Sequence, residues 1–198
     1  MRLWSIQEAS KLDEIRSTGK LTCLGNKFSL EWDNEYKWMI KQMSEKIGSP
    51  TKNNQYPIWA WYQYQDSKHK KPDLRRSGHL PSGTNGIIIE FEKEIGNVLL
   101  SDFVLWHYPL SYKAIIAKNE EKCEEFELKL KTLKLDKTKF INLPKNIQRE
   151  IEISWQRIFD MDFENEYYTH PKKEKMIQAC CWEINEVEIS KIDPFKAR

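Results

Sequence analysis

The sequence predicts an α+β fold, in which helices pack on a central, mostly antiparallel and twisted β-sheet of about five to seven strands. One observation is the strand-type alternation of side chains at 2–7, 56–64 and 176–184. Another is the helical spacing of apolar residues at 33–47 and 147–159. The length of 198 residues suits a single domain that can bury a core. We therefore expect one domain over residues 1–198, with a helical, partly exposed segment at 118–160.

The first part of the chain alternates between strand and helix. In the strand at 2–7, Arg2 and Trp4 lie on one side and Leu3 on the other. A helix follows at 8–17, and Gly19 ends it. After a short extended piece at 21–24 comes the clearest early helix, 33–47, with Asp33 as its cap.

The middle of the chain holds the strongest strand patterns. An aromatic strand at 56–64 places Tyr62 and Trp61 on opposite faces. Loops occupy 65–71 and 78–86. The apolar start of 87–92 predicts a strand buried on both faces, and 98–103 follows as another strand.

The last part of the chain is mostly helical before it returns to the sheet. A helix is expected at 106–116, with Pro109 in its first turn, because proline breaks a helix interior. Residues 118–139 are predicted as an exposed helix and loop, and a helix begins at Pro144 and runs to 159. A polar loop leads to the strand 176–184, and 187–195 finishes the chain.

Composition excludes several classes of protein. The net charge of +2 excludes a generally basic protein, so nucleic acid would need a local patch, for which Lys68–Lys71 with Arg75 and Arg76 is the candidate. No apolar run is long enough for a membrane span, and the N-terminus does not resemble a signal peptide. The four cysteines lack C-x-x-C spacing and are expected to be reduced thiols in a cytoplasmic protein. No His/Cys pair has zinc spacing, so no metal is expected.

Several polar residues stand where chemistry could occur. Arg75 can fork onto a phosphate, or it can pin a loop by pairing with Asp73 or Asp102. Asp102 ends an apolar strand and either orients Arg75 or His107 or caps the next helix. His107 is a candidate general acid or base, or a structural hydrogen bonder. Histidines 69, 79 and 170 lie in loops.

The two terminal strands carry further candidates. Gln178 can contact a ligand amide or ribose, or it can satisfy a backbone group. Arg2 and Trp4 can grip an anion and stack a ring, or they belong to a frayed terminus with a core tryptophan. We expect six residues to meet in one aromatic-lined cleft: Arg2, Tyr62, Arg75, Asp102, His107 and Gln178.

Seven segments carry a family resemblance, in order along nearly the whole chain: MRLWSIQ, YPIWAWYQY, KPDLRRSGHLP, GIIIEFE, VLLSDFVLWHYPLSY, SWQRIFD and IQACCWEI. Together they resemble the bacterial DUF3841 family. A more distant likeness is to the ADP-ribosyltransferase superfamily. In that superfamily an Arg or His on the first strand grips NAD. A Ser/Thr- or Tyr-containing strand supports the nicotinamide, and a late Glu, often in a Gln/Glu-x-Glu pattern, orients the ribose.

This second likeness implies roles for individual residues. Arg2 matches the first role, Tyr62 or Ser101 the second, and Gln178 or Glu183 the third. The sequence departs from the pattern because it has no Ser-Thr-Ser element and carries Gln-Ala-Cys at 178–180.

The resemblance implies an ADP-ribosyltransferase-like enzyme that uses NAD and modifies nucleic acid or protein, as a toxin or phage-defence effector. Arg2 would hold the pyrophosphate, and Trp4 or Tyr62 would stack the nicotinamide. The alternative is a non-catalytic nucleic-acid or nucleotide-binding module, whose basic loop tracks phosphates and whose tryptophans stack bases. A third reading is a partner-binding protein that uses the exposed helix at 118–139.

Overall fold

The computed structural model describes residues 1–25, 33–64, 71–72, 79–111 and 115–198. These residues form two compact units. The first contains the described residues within 1–64, 68–100 and 177–198, and the second those within 101–176. Arg75 and most of the basic loop (68–70, 76) lie outside the described residues.

The described residues contain nine strands and five α-helices. The strands are β1 (Arg2–Glu8), β2 (Lys20–Leu24), β3 (Gln55–Tyr56), β4 (Ile58–Gln63), β5 (Asn85–Glu92), β6 (Leu99–Asp102), β7 (Ile177–Cys181), β8 (Glu183–Asn185) and β9 (Ile189–Lys196). The helices are α1 (Lys11–Thr18), α2 (Asp33–Ile47), α3 (Phe103–Ser111), α4 (Glu120–Thr132) and α5 (Lys145–Trp155).

A six-stranded sheet in the order β6-β7-β4-β1-β5-β9 and a three-stranded sheet in the order β3-β2-β8 confirm the predicted α+β class. The pairs β1–β4, β1–β5, β4–β7 and β5–β9 are antiparallel. The outer strand β9 carries Pro194, which has no N–H for the ladder and is tolerated at a sheet edge.

One face of the six-stranded sheet carries the apolar core of the first unit. Its members include Leu3, Ala60, Ile89, Phe91 and Ala179, each at most 3% exposed. Successive side chains along a strand point to opposite faces, so the residues between these positions form a second, more polar face. Cys181 belongs to the core and Cys180 pairs with Trp59 on the second face, as their adjacency predicts.

Local signals placed several helices correctly. Gly19 ends α1 with a φ of 72°, a conformation that glycine adopts without a steric penalty. Helix α2 has the predicted bounds, and α5 begins directly after Pro144. In the second unit the predicted stripe on and after α5 is buried: Ile147, Ile151, Trp155 and Ile158 are each at most 1% exposed.

Helix α3 differs from its prediction at both ends and in the position of Pro109. Helix α3 begins at Phe103 rather than 106, because the Asp102 carboxylate accepts hydrogen bonds from the amides of Val104 and Leu105. Pro109 therefore lies inside the helix and not in its first turn. Residues 115–117 are not helical.

The expected strand 176–184 is divided at Trp182. The carbonyl oxygen of Trp182 accepts a hydrogen bond from the Gln55 side chain at 2.6 Å, and its indole donates to the Gly48 carbonyl at 2.7 Å. The chain leaves the large sheet there, and β8 pairs with β2. A 3₁₀ turn at 186–188 likewise precedes β9, so the last strand starts later than 187.

Candidate functional site

Five neighbouring strands bring one row of side chains together on the second face of the large sheet. Gln178 pairs with Trp61, Trp61 with Trp4, Trp4 with Glu90, and Glu90 with Lys191. We call Gln178, Trp61, Trp4 and Glu90 the tryptophan row. Trp4 and Trp61, in the middle of the row, are only 3% and 5% exposed, and the two ends of the row are polar side chains.

Glu90 connects Trp4 with Arg2 at one end of the row. One carboxylate oxygen accepts a hydrogen bond from Trp4 Nε1 at 3.1 Å, and the other lies 3.5 Å from Arg2 Nε. The Arg2 side chain is 61% exposed, and apart from Glu90 it makes no ion pair or hydrogen bond with the described part of the chain. Its two terminal amino groups are therefore available to an anion.

Gln178 lies at the other end of the row, and the described part of the chain leaves its hydrogen-bonding capacity unused. It is half-buried, and its carboxamide makes no hydrogen bond to any described residue. The sequence had left open whether Gln178 satisfies a backbone group, and no such bond is found among the described residues. A half-buried amide can donate to and accept from a ligand without first breaking a protein contact.

Two rings pack against Trp61 in the middle of the row. The ring centre of Tyr64 is 5.0 Å from that of Trp61, and the ring centre of His79 is 6.1 Å away, both at 79° to the indole plane. Burial lowers the pKa of His79, which favours its neutral form. A ligand ring that stacked on Trp61 would have to displace one of these two half-buried rings.

Two predicted site residues lie away from the row. Tyr62 packs against the apolar core and so lies on the opposite face of the sheet from Trp61. Glu183 belongs to β8 in the small sheet, where its carboxylate accepts a 2.8 Å hydrogen bond from Lys20. Neither can act with Arg2 and Gln178 as the resemblance implied, because Tyr62 faces the apolar core and Glu183 lies in the small sheet.

Asp102 of the second unit has a structural environment. One carboxylate oxygen caps α3, and the other accepts hydrogen bonds from Lys175 Nζ at 2.9 Å and from the Thr169 hydroxyl. Lys175 also donates to the Phe163 carbonyl at 2.7 Å, and both charged side chains are fully buried. The capping alternative for Asp102 is thus confirmed.

The other predicted residues of the second unit also have local surroundings. His107 is exposed, and its Nδ1 lies 2.9 Å from the carbonyl oxygen of Phe103. The Ser101 hydroxyl is buried and has no partner among the described residues. The hypothesis that Asp102 and His107 share a cleft with Arg2 stays a prediction, as does any role for Arg75.

One cavity of the first unit lies away from the tryptophan row. Its volume is about 440 Å³, and it is lined by Leu12, Ile15, Arg16, Ile87 and neighbouring residues. Ile87 faces the apolar core, so this cavity lies on the face opposite the tryptophan row. Across the described ranges, no group of three or more His, Cys, Asp or Glu residues is arranged to hold a metal ion.

Sequence reasoning overlooked Glu90 and His79. Glu90 reads as one of two acids alternating at the end of a strand, and its contact with Trp4 follows only from the β1–β5 register. His79 reads as a loop histidine, and its contact with Trp61 is a tertiary one. For Glu90, the available signal was that β1 and β5 both place alternating polar residues on one face.

None of the helices in the described segments combines the length and apolar character needed to span a bilayer. No curated protein and no solved structure matches the chain. Residues 2–190 do match a domain of unknown function, DUF3841, which covers nearly all the segments quoted above. The chain therefore belongs to the DUF3841 family.

Proposed function

We propose that this protein binds NAD along the tryptophan row and transfers its ADP-ribose group to an acceptor. The observation that supports this function is the distribution of unused polar groups. The guanidinium of Arg2, the carboxamide of Gln178 and the imidazole of His79 flank two buried indoles on one sheet face. Within the described chain, each keeps hydrogen-bonding groups that no protein contact uses. A ligand that joins an anionic group to a polar sugar matches these groups, with the anion at the Arg2 end of the row and the sugar at the Gln178 end.

Arg2 is the group suited to the pyrophosphate. Glu90 occupies its Nε edge, which leaves the paired terminal amino groups for two phosphate oxygens. Glu90 also holds the Trp4 indole by its N–H, so the positions of the cation and the ring are linked through one carboxylate. A lysine at position 2 would keep the charge but lose the fork.

Gln178 is the group suited to the ribose. The reaction breaks the bond between ribose C1′ and the nicotinamide nitrogen, and the electron pair leaves with nicotinamide. The carboxamide can hydrogen-bond the ribose hydroxyls and hold the sugar as positive charge develops at C1′. It cannot take up a proton, so Gln178 is proposed to orient the sugar and not to act as a base.

The test is to measure NAD binding by calorimetry and nicotinamide release by chromatography. Arg2→Ala is expected to weaken NAD binding by about tenfold or more, since charge-assisted hydrogen bonds to phosphate are lost. Gln178→Ala is expected to lower the rate of nicotinamide release more than the affinity, because it acts mainly as C1′ becomes charged.

Arg16→Ala provides a matched control, because Arg16 is an exposed arginine on α1 outside the row. This variant should leave the NAD affinity and the rate of nicotinamide release unchanged. The proposal fails if the wild-type protein neither binds nor cleaves NAD. A steeply salt-dependent affinity for single-stranded nucleic acid in the same protein would instead favour the non-catalytic binding module.

A further inference from the structure

ADP-ribose transfer along the tryptophan row requires a base, and the groups already assigned cannot supply one. Gln178 is neutral. Glu90 has both oxygens engaged by Trp4 and Arg2. It also lies three strands from Gln178 in the sheet order, roughly 14 Å at the usual strand spacing. Glu183 is on another sheet, bonded to Lys20.

His79 lies beside the ring that neighbours Gln178. Its ring packs edge-on against Trp61, and Trp61 is the direct cross-strand neighbour of Gln178. The imidazole is half-buried and forms no hydrogen bond with any residue in the described ranges. Both ring nitrogens therefore keep their capacity to accept or donate a proton.

Leu80, the residue after His79, lies close to the backbone of Gly86. A Cβ placed on Gly86 would come within 2.7 Å of the Leu80 side chain and 2.4 Å of the Phe195 ring. Phe195 packs against Trp4 and Ile88, so Gly86 makes room for side chains on the face that carries the tryptophan row. The lack of a side chain at position 86 thus lets Leu80, and with it His79, lie against this face.

We infer that His79 is the general base that takes the proton of the acceptor during ADP-ribose transfer, an inference that rests on the proposed function. The acceptor oxygen or nitrogen forms the new bond to C1′ as the C1′–nicotinamide bond breaks. The electron pair of the broken bond goes to the nicotinamide nitrogen, and the acceptor proton goes to an imidazole nitrogen of His79. The acceptor class is accordingly a hydroxyl or a neutral N–H group, and water can replace it.

The charge state of His79 agrees with this role. Burial lowers its pKa, and burial is the one cause of the shift. The neighbouring Trp61 ring is uncharged, and no charged side chain of the described residues contributes. A histidine with a lowered pKa is neutral at pH 7 and ready to accept a proton.

The test follows nicotinamide release from NAD, with water as acceptor, between pH 5 and 9. For the wild type, kcat/KM should rise with pH through a pKa below the ordinary histidine value and then level off. His79→Gln should reduce kcat by about a hundredfold or more, the usual range for a lost general base, and abolish the acidic limb. Added imidazole should restore part of the rate to His79→Ala. The dissociation constant for NAD should stay within about threefold of wild type, because the base does not hold the cofactor.

His170→Ala serves as the matched control, since His170 is an exposed histidine of the second unit. It should keep both the rate and the acidic limb. Wild-type turnover combined with full activity in His79→Gln would overturn the assignment of His79 and leave the proposed function standing. A wild-type protein that releases no nicotinamide at any pH would overturn both. Far-UV circular dichroism and NAD calorimetry on His79→Gln separate a loss of chemistry from a loss of fold.

Discussion

In the second unit, Asp102 and Lys175 are fully buried, and every charged atom has a partner close by. In the first unit, Arg2, Gln178 and His79 surround two buried tryptophans and leave most of their hydrogen-bonding groups unused within the described chain. The Asp102–Lys175 pair joins a helix cap to a distant loop. The polar groups of the tryptophan row and His79 could instead bind a ligand. A polar residue in an apolar setting is thus a stronger candidate for ligand binding when the described chain offers it no hydrogen-bond or ion-pair partner.

The largest effect is expected from breaking the buried pair. Lys175→Met should lower the free energy of unfolding by about 3–5 kcal/mol, because Asp102 would remain charged and buried without its cation. Urea denaturation, monitored by circular dichroism, measures this loss in the free energy of unfolding. The double variant Asp102→Asn with Lys175→Met should recover part of the loss, since no buried charge remains.

Lys172→Met is the control for this experiment, because Lys172 pairs with Asp162 at an exposed site. It should unfold at the same urea concentration as the wild type. An equally small effect of Lys175→Met would contradict the view that the Asp102–Lys175 pair is structural and differs in this from the tryptophan row.

A smaller effect should separate two glutamines within the first unit. Gln55 is 2% exposed, and its amide donates to the Trp182 carbonyl at 2.6 Å, whereas Gln178 has no such partner within the described segments. Gln55→Ala should destabilise the protein by about 1–3 kcal/mol, since it leaves a buried carbonyl unpaired. Gln178→Ala should change stability by less than about 0.5 kcal/mol while it impairs NAD cleavage. Equal losses of stability would mean that Gln178 is structural.

The smallest effect concerns Glu14, an acid that is satisfied at the surface. Burial acts to raise its pKa, but hydrogen bonds from Lys11 and Thr22 outweigh burial and leave the pKa lowered. A lowered pKa stabilises the fold above the ordinary carboxyl pKa, and this contribution disappears as the pH falls through the folded-state pKa. The stability difference between wild type and Glu14→Gln should therefore be under about 1 kcal/mol at pH 7 and should disappear once the pH falls below the lowered pKa, as thermal unfolding can measure. A difference that grew towards acid would contradict the assignment.

Short-range patterns predicted much of the fold. Alternation identified both faces of β1 and β4, and helical spacing identified the buried stripe of α5, because side-chain direction follows directly from backbone geometry. The boundaries at α3 and Trp182 were missed, because each depends on a side chain that satisfies backbone groups: Asp102 caps a helix and Gln55 binds a carbonyl 127 residues away.

The candidate site was predicted only in part. Arg2, Trp4 and Gln178 were chosen from the sequence, and they lie on one face of the sheet. Tyr62 was placed wrongly, although its alternation with Trp61 already put the two residues on opposite faces. Glu183 was placed wrongly because the strand that carries it leaves the large sheet after Cys181.

The sequence by itself determined most of the strands and helices, and which side of each strand is apolar, because these properties depend mainly on neighbours along the chain. The boundaries at α3 and Trp182 are the exceptions. Only the tertiary structure decided that Trp4 stands between Trp61 and Glu90, and that His79 packs on Trp61. Strand order and register depend on how distant apolar faces are buried together, and shifting the pairing by one residue would turn every side chain of a strand to the other face.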